Sequence, residues 1–453
     1  MQDLGNEPFH FIGIGGIGMS GIAHILVKRG YQVSGSDLQP NRVTAQLAEL
    51  GVKIYWGQSA QNINLHQHPQ VVYSSAIKQG NPELETAIKY GLKLWHRAEL
   101  LAELVNHSQS VAVSGTHGKT TTSSLISFLL LRAGFDPTIV VGGEVDAWGG
   151  NARAGHSPYL VAEADESDGS LVKFHPQVGV ITNVELDHTD HYQNLEQVVG
   201  VFQQFATQAQ VVVTCGDCPV ARRNIKASIT YSLNGQPTDY TVKAVSYCAT
   251  GTTAILVERG KVLGEFQLQL LGAHNLSNAL AAIAVARYYG IDWELIREAL
   301  PAFRGAKRRF EAKGEWQGIT LVDDYAHHPS EVQATLRAAK LQGRRVVAVF
   351  QPHRYSRTYA FFTEFTAAFA EADVVVVTEI YSAGEEPIAG VSAEQLATAI
   401  AQVHPRCIYL PKLAEIPPWL QANLQTGDLV LFLGAGNLNQ VIAPTLELLQ
   451  HAS

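Results

Sequence analysis

The stretch that most constrains this chain is Val111-Ala112-Val113-Ser114-Gly115-Thr116-His117-Gly118-Lys119-Thr120-Thr121-Thr122, followed by an apolar run from Ser123 to Ala133 with helical character. The order is strand, glycine-bearing loop, helix. Free backbone N–H groups at a helix N-terminus, with the helix dipole behind them, form an anion site. Gly115 and Gly118 let the backbone close around phosphate oxygens, Lys119 reaches the outer phosphates, and the Thr120 hydroxyl suits a magnesium ion. Thr116, His117 and Thr121 complete the loop that would hold ATP. The further glycine of the full Walker pattern is replaced by Val113, so this is a shortened phosphate loop. A nucleoside triphosphate is the expected ligand.

A parallel sheet must surround such a loop, and 453 residues are too many for one core, so several domains are expected. A hydrophobic content of 46% with 16% charged residues describes a well-packed globular chain. The net charge of -8 argues against a general nucleic-acid binder. Of the four cysteines, Cys215-Gly-Asp-Cys218 has redox or half-zinc spacing but no second Cys or His pair nearby, and reads as ordinary thiols. The start, MQDLGNEPFH, lacks a basic-then-apolar signal, and no apolar run reaches membrane-spanning length. A soluble, cytoplasmic protein is expected.

Before the phosphate loop, Phe9 to Ile14 is apolar and Gly13-Ile14-Gly15-Gly16-Ile17-Gly18 is a Gly-x-Gly-x-x-Gly turn. A helical stretch from Met19 to Arg29 and a second strand ending at Asp37 follow, the layout of a Rossmann-like half that binds a pyrophosphate. Strand-like runs recur at Val52 to Trp56, Val71 to Ser74 and Leu92 to Trp95, with helical stretches between or after them. After the loop, strands at Tyr159 to Ala162 and Val178 to Thr182 end in polar clusters. These are Glu163-Ala164-Asp165-Glu166-Ser167-Asp168 and Asn183-Val184-Glu185-Leu186-Asp187-His188-Thr189-Asp190-His191. Carboxylates at the C-terminal ends of strands beside a triphosphate loop supply the hard oxygens that magnesium prefers.

From Ile229 to Leu271 the alternating, β-branched texture predicts a small antiparallel insert, with a hairpin near Val257 to Val262. His274, Asn275 and Asn278 stand at the start of an Ala-rich helix, where they read as caps. A third α/β region carries polar strand tips: Asp323-Asp324-Tyr325-Ala326-His327-His328-Pro329 and Gln351-Pro352-His353-Arg354-Tyr355-Ser356-Arg357. Cations and histidines packed so closely at a strand end suit an anion. The expected architecture is α/β in three domains. Residues 1–107 form an N-terminal Rossmann-like parallel sheet, and residues 108–313 a central phosphate-loop domain with the antiparallel insert. Residues 314–453 form a C-terminal Rossmann-like domain for amino-acid binding and closure.

The set Gly115-Thr-His-Gly-Lys-Thr-Thr121, Glu163 in Glu-Ala-Asp-Glu, Asp187-His-Thr-Asp190, His274-Asn275 with Asn278, and Arg308-Arg-Phe-Glu311 resembles the Mur ligases. These are three-domain enzymes that add amino acids to the peptidoglycan precursor. Within that family, Gly13-Ile-Gly-Gly-Ile-Gly-Met-Ser20, Ser34-Gly-Ser-Asp37, Tyr73-Ser-Ser-Ala-Ile77 and Arg97-Ala-Glu-Leu-Leu-Ala-Glu103 are similar to members whose acceptor is L-alanine. So are the two polar strand tips of the third region. The resemblance implies an ATP-dependent ligase. It would join L-alanine to the lactyl carboxylate of UDP-N-acetylmuramate through an acyl-phosphate, releasing ADP and phosphate.

By the same resemblance, Gly15, Gly16, Ile17 and Gly18 with Asp37, Ser74 and Ser75 would hold the UDP of the sugar nucleotide. Lys119 and Thr120 would grip ATP and Mg2+, with Glu163 and His188 as further metal ligands. Asn275 and Asn278 would contact adenine, and Arg308 and Asp324 would support nucleotide binding. Tyr325, His327, His353, Arg354 and Arg357 would serve the alanine carboxylate, the intermediate and the phosphate, as catalytic groups beside Lys119 and His188. No lysine lies between His191 and Phe205, so the carbamylated lysine of several Mur ligases is not expected, and Gln58 stands where such ligases often carry His. The implied partners are the two substrates, with no nucleic acid and a monomer or weak homodimer. The rival readings are a ligase that recycles a ready-made tripeptide and, in another class, a nicotinamide-dependent oxidoreductase.

Overall fold

The computed structural model of the protein describes residues 4–451. The first region runs β1 (Phe9–Ile12), α1 (Ile17–Lys28), β2 (Val33–Asp37), α2 (Arg42–Glu49), β3 (Lys53–Trp56), β4 (Gln70–Tyr73), α3 (Pro82–Lys89), β5 (Leu94–His96) and α4 (Arg97–Asn106). Its strands form a parallel sheet in the order β3-β2-β1-β4-β5. The chain winds one way from β1 to β3 and the other way through β4 and β5. The crevice at the C-terminal ends of β1 and β4 is therefore a topological switch point, where ligands of open α/β sheets bind. Local chemistry sets the helix starts. Asn41 opens α2 through a reciprocal capping box with Thr44, and Asn81 caps α3 with Pro82 in the first turn.

The second region comprises β6 (Gln109–Ser114), α5 (Lys119–Arg132), β7 (Thr138–Val145), β8 (Gly150–Arg153), β9 (Tyr159–Glu163), β10 (Val178–Ile181), α6 (Leu195–Gln208), β11 (Val211–Cys215), α7 (Pro219–Asn224), β12 (Ile229–Ser232) and β13 (Tyr240–Cys248). The strands line up as β12-β11-β10-β6-β9-β7-β8, with Tyr240 and Thr241 of β13 paired to β12. The phosphate-loop strand β6 is thus flanked by β10 and β9, whose polar tips were the expected ligand positions. Helix α5 is buried on every side from Thr120 to Leu130, as expected of a helix packed within a core rather than on its surface.

Two local expectations change. Helix α5 starts at Lys119, before Ser123, because Gly118 (φ 81°) turns the chain directly into helix and the threonines that follow are its first turn. The β7–β8 pair was not anticipated. A Cβ at Gly142 would lie 2.6 Å from both Glu163 carboxylate oxygens, and the Gly142 N–H donates to that carboxylate at 2.8 Å. Glycine is needed there so that a strand can pass an acid.

Next come β14 (Gly251–Glu258), β15 (Lys261–Leu268), α8 (Ala273–Tyr288) and α9 (Trp293–Ala299). The β14–β15 hairpin is antiparallel, as expected, and turns through Arg259 (φ 46°) and Gly260 (φ 82°). The preceding strands β12 and β13 are instead parallel to β11 and to each other, helix α7 carrying the chain back between β11 and β12. Helix α8 begins at Ala273, so His274 and Asn275 lie inside its first turn rather than capping it.

The last region holds β16 (Glu311–Trp316), β17 (Ile319–Asp324), α10 (Pro329–Lys340), β18 (Val346–Phe350), α11 (Tyr355–Ala360), α12 (Phe362–Thr366), β19 (Val374–Val377), α13 (Ala393–Val403), β20 (Cys407–Tyr409), α14 (Ile416–Asn423), β21 (Leu429–Leu433) and α15 (Ile442–Gln450). The sheet order is β16-β17-β21-β18-β19-β20, parallel except for β16 at the edge. Alternate residues of β21 enter opposite cores: Leu429, Leu431 and Leu433 one, Val430 and Phe432 the other. A parallel sheet covered on both faces reads as continuous apolar sequence, which is why these strands were legible.

By packing the chain divides into two compact units. One holds residues up to Glu185, Glu196–Thr241 and Asn278–Ala299, and so contains the first two sheets. The other holds Leu186–Leu195, Val242–Ser277 and the residues from Leu300 onward.

Candidate active site

In the first unit the phosphate loop is braced by the chain that leaves β10. Asn183 receives the His117 N–H at 2.9 Å and donates to the His117 carbonyl at 3.0 Å, while Thr182 Oγ1 donates to the same carbonyl at 2.6 Å. The Thr116 hydroxyl accepts the Glu185 N–H at 2.8 Å. These bonds fix the course of the loop's backbone. They also explain the glycines. A Cβ on Gly115 (φ 132°) would lie 2.0 Å from Thr182 Oγ1, and one on Gly118 would lie 2.4 Å from Asn278 Oδ1. Gly115→Ala combines that clash with a disfavoured backbone, so a loss of about 2–4 kcal/mol is expected. Urea unfolding checks it, and a loss under 1 kcal/mol would show that the loop yields more easily than its contacts indicate.

Lys119 Nζ donates to the Gly115 and Thr116 carbonyls at 2.7 and 3.2 Å and to both Glu166 oxygens at 3.0 and 2.9 Å. Burial disfavours its charge, yet the carboxylates of Glu166, Asp165 and Glu163 outweigh burial and hold the ammonium above its usual range. Glu163, at the tip of β9, is pushed the other way by burial, against the pull of Lys119 and its bonds from the Thr120 hydroxyl and the Gly142 N–H. Thr120 and Glu163 thus meet as a hydroxyl and a carboxylate. That hard-oxygen donor set, beside a phosphate loop, fits magnesium. Thr121 is buried behind the loop, and Asn278 lies against Gly118.

At the other nucleotide-type turn, Gly16 precedes α1 and Ile17 and Gly18 are its first residues. Asp37 accepts the Gly15 N–H at 2.7 Å and the Leu38 N–H at 2.7 Å, so it closes over the turn. A Cβ on Gly18 would lie 2.7 Å from Arg97 Nη1. Arg97 therefore brings a cation to the helix N-terminus, a placement that its motif alone did not reveal. Ser74 begins a tight turn, accepting the Ile77 N–H at 2.9 Å, and Ser75 bonds His96 and Asp168.

The second unit gathers the remaining candidates. Arg357 donates Nε and Nη2 to Asp187 Oδ1 at 3.0 and 2.9 Å, and Nη1 to His353 Nδ1 at 3.1 Å. Both members of the ion pair are about 6% exposed. Burial works against the Asp187 charge, but Arg357, with His188, His327 and His328, holds its carboxyl far below the usual range. His188, in a left-handed conformation (φ 51°), follows Asp187 in the same turn and donates its N–H to Asp187 Oδ1. It belongs to this unit, whereas Thr120 and Glu163 belong to the first. Arg354 (φ 70°) bonds Asp190 at 2.9 Å and Glu385 at 3.3 Å, and its backbone donates to the Tyr381 carbonyl.

His353 stacks on Tyr381 with rings 5.7 Å apart and meets His327 edge-on at 5.6 Å. Burial lowers His327 to about 4 and His353 to about 3, so both imidazoles are neutral near pH 7. His327 Nδ1 donates to the Tyr325 carbonyl at 2.9 Å, leaving Nε2 as an acceptor. His353 accepts at Nδ1 from Arg357, so its proton sits on Nε2 and it is a donor there. Two neutral histidines side by side thus offer opposite hydrogen-bond roles.

Tyr325 carries the Arg308 and Arg309 guanidinium groups over its ring at 5.0 and 5.2 Å. Arg308 also reaches Asp323 and the Gly434 carbonyl. Asp324 accepts from Phe310 N–H, Ala326 N–H and the Thr335 hydroxyl, and burial raises it to about 6. The structure thus uses Asp324 to tie three segments of its own domain together. Asn275 donates to the Leu271 carbonyl at 2.9 Å in the first turn of α8. Glu166, Asn183, Tyr381 and Glu385 carried no expected role. Glu166 and Asn183 stood in the polar strand tips, but nothing in the sequence pairs Glu385 or Tyr381 with Arg354.

Comparison with known proteins gives a consistent result. Residues 8–109 match the Mur ligase family, catalytic domain; residues 113–286 match the Mur ligase middle domain; and residues 308–436 match the Mur ligase, glutamate ligase domain. A UDP-N-acetylmuramate–L-alanine ligase of Thermosynechococcus vestitus is 58% identical over 98% of this chain and 96% of its own length. A crystal structure of a UDP-N-acetylmuramate–alanine ligase from Thermotoga maritima superposes with a TM-score of 0.85 at 30% identity, over 99% of this chain and all of that one. A murein peptide ligase from Psychrobacter arcticus shares the fold, with a TM-score of 0.72 at 22% identity over 99% of both chains. Among the described residues no helix is long and apolar enough to cross a membrane.

Proposed function

The chain belongs to the Mur ligase family, and from that premise we propose that it is an ATP-dependent ligase joining L-alanine to the lactyl carboxylate of UDP-N-acetylmuramate. The observation that carries this reading is one chain holding both a triphosphate loop, with Lys119 among three carboxylates, and a separate glycine turn built for a pyrophosphate. An oxidoreductase would explain the second feature and leave the first without a use. The domain limits 1–107, 108–313 and 314–453 follow the proposed roles: sugar nucleotide, ATP and amino acid. The reaction belongs in the cytoplasm, where its nucleotide substrates are.

In the proposed reaction a lactyl carboxylate oxygen bonds to the γ-phosphorus of ATP as the bond to ADP breaks. The L-alanine nitrogen then bonds to the carbonyl carbon, loses a proton, and phosphate leaves. Such transfers need positioning and charge neutralisation more than a covalent nucleophile. Lys119 exchanges Glu166 for outer phosphate oxygens, and the N–H groups from Gly118 to Thr121 line the rest of the polyphosphate, those of Thr116 and His117 being bonded to Asn183. Thr120 and Glu163, with His188 as the further expected ligand, would hold magnesium, which would supply positive charge there. Asn275 and Asn278 contact the adenine, and Arg308 and Asp324 support the nucleotide. In the second unit His327 Nε2 accepts the proton leaving the amine, and His353 Nε2–H donates to an anionic oxygen. Tyr325 and Arg354 border the place for the amino-acid carboxylate. Arg357 acts through His353, whose tautomer it sets. The turn at Gly15, Gly16, Ile17 and Gly18, with Asp37, Ser74 and Ser75, takes the sugar nucleotide.

The test is phosphate release with ATP, magnesium and UDP-N-acetylmuramate, given L-alanine, a tripeptide or no acceptor. Release that depends on L-alanine is expected. Release with the tripeptide alone would make this a recycling ligase, and tight nicotinamide-dinucleotide binding without release would sink the ligase reading.

A further inference from the structure

At the C-terminal edge of β4, Ser75 meets two side chains from elsewhere in the first unit. Its hydroxyl donates to Asp168 Oδ2 at 3.1 Å and lies 3.1 Å from His96 Nε2. Asp168 comes from the acidic loop after β9, and His96 from the junction of β5 and α4. The group resembles a hydrolytic Ser-His-Asp set, but its hydrogen bonds run the wrong way for one. His96 Nδ1 accepts the Ala98 N–H as the cap of α4, so the ring proton is on Nε2. His96 therefore donates to Ser75 and cannot take its proton. Asp168 is fixed as well, since its other oxygen accepts the Ser170 N–H at 3.0 Å and the Ser170 hydroxyl.

The order is His96 Nε2–H to Ser75 Oγ–H to Asp168 Oδ2. The only proton of Ser75 is committed to Asp168, while one lone pair on its oxygen stays open, and Ser75 is itself exposed. Whatever binds here must bring a donor. A pyrophosphate, carrying only acceptor oxygens, would meet an oxygen with no proton to offer and a carboxylate that repels it. The segment from Ser74 to Ile77 also borders the glycine turn, because a Cβ on Gly13 would lie 3.7 Å from Ile77 Cδ1. A ligand whose phosphates sit on the glycine turn would thus bring its next group toward Ser75.

We propose that His96, Ser75 and Asp168 form an acceptor-facing relay that binds a hydroxyl or acetamido N–H of the sugar ring, not the UDP phosphates. His96 and Asp168 are positioning residues acting through the Ser75 hydroxyl. This assignment rests on the sugar-nucleotide reading above and refines it, since Ser75 leaves the phosphate-binding set.

Three variants test it in the full-length protein: Ser75→Ala, Asp168→Asn and His96→Asn. Asparagine is a good helix cap, so His96→Asn keeps α4 closed while removing the donor to Ser75. Each is expected to raise the KM for UDP-N-acetylmuramate about tenfold, the worth of one neutral hydrogen bond. The inhibition constant of UDP and the KM for ATP stay unchanged, and Ser75→Ala with His96→Asn is no worse than Ser75→Ala alone. An unchanged KM for UDP-N-acetylmuramate in all three variants, or an equal rise for UDP, overturns the relay while leaving the ligase reading intact. If the unaltered protein releases no phosphate with UDP-N-acetylmuramate, the ligase reading fails and the sugar assignment goes with it.

Discussion

Lys119→Ala is expected to lower L-alanine-dependent phosphate release by about 10³-fold, the scale found when one preorganised charge-stabilising group is removed. The cause is local. Lys119 is the ammonium of the phosphate loop, pinned by the Gly115 and Thr116 carbonyls at the mouth of α5. The same change should cost stability, because Glu166 is about 2% exposed and would lose the Lys119 ammonium. Breaking a buried pair in this way costs about 3–5 kcal/mol. The two effects separate in the double variant Lys119→Ala with Glu166→Gln. It should recover most of the stability, measured by urea unfolding, and none of the phosphate release. Recovery of activity in that double variant would mean that Lys119 matters only as the partner of Glu166.

The second large effect is expected at Arg357. Arg357→Ala leaves the buried Asp187 carboxylate without its guanidinium and His353 without the donor that fixes its tautomer. A loss of about 3–5 kcal/mol is expected for the uncompensated charge. The pH dependence supplies an independent reading. Asp187 has a folded value depressed below the unfolded value of about 3.9. Its contribution is therefore complete above that unfolded value and is lost as pH falls below it toward the depressed folded value. Unfolding free energies followed from about pH 5 down to about pH 2 should show this acid loss in the unaltered protein. The loss should be weaker in Asp187→Asn, which has no carboxyl to protonate there. Equal acid sensitivity in both would assign the loss to other carboxyls, such as Asp168 or Glu83, whose values are also depressed.

Several features were legible in the sequence because their causes are short-range. The phosphate loop needs glycine at defined turns, a lysine and a threonine, all within one strand–loop–helix unit, and that unit is present, with Lys119 and Thr120 opening the helix. The parallel strands of the last sheet are buried on both faces and so read as unbroken apolar runs. The Arg259-Gly260 turn reads locally too. Where a local signal pointed the other way, the sequence misled. Asn275 looked like a cap and lies inside the first turn of α8.

By itself the sequence determined that two phosphate-type glycine turns sit at the ends of parallel strands, and that acids, histidines and arginines gather at other strand tips. Periodicity and turn chemistry depend only on near neighbours, so they can be read without a fold. Which of those charges meet was decided by tertiary structure alone. The pairings of Lys119 with Glu166, Arg357 with Asp187, and Ser75 with both His96 and Asp168 join residues far apart in the chain. No local rule encodes such a pair, because its energy arises from the shared burial of groups that only the folded sheets bring within hydrogen-bond reach.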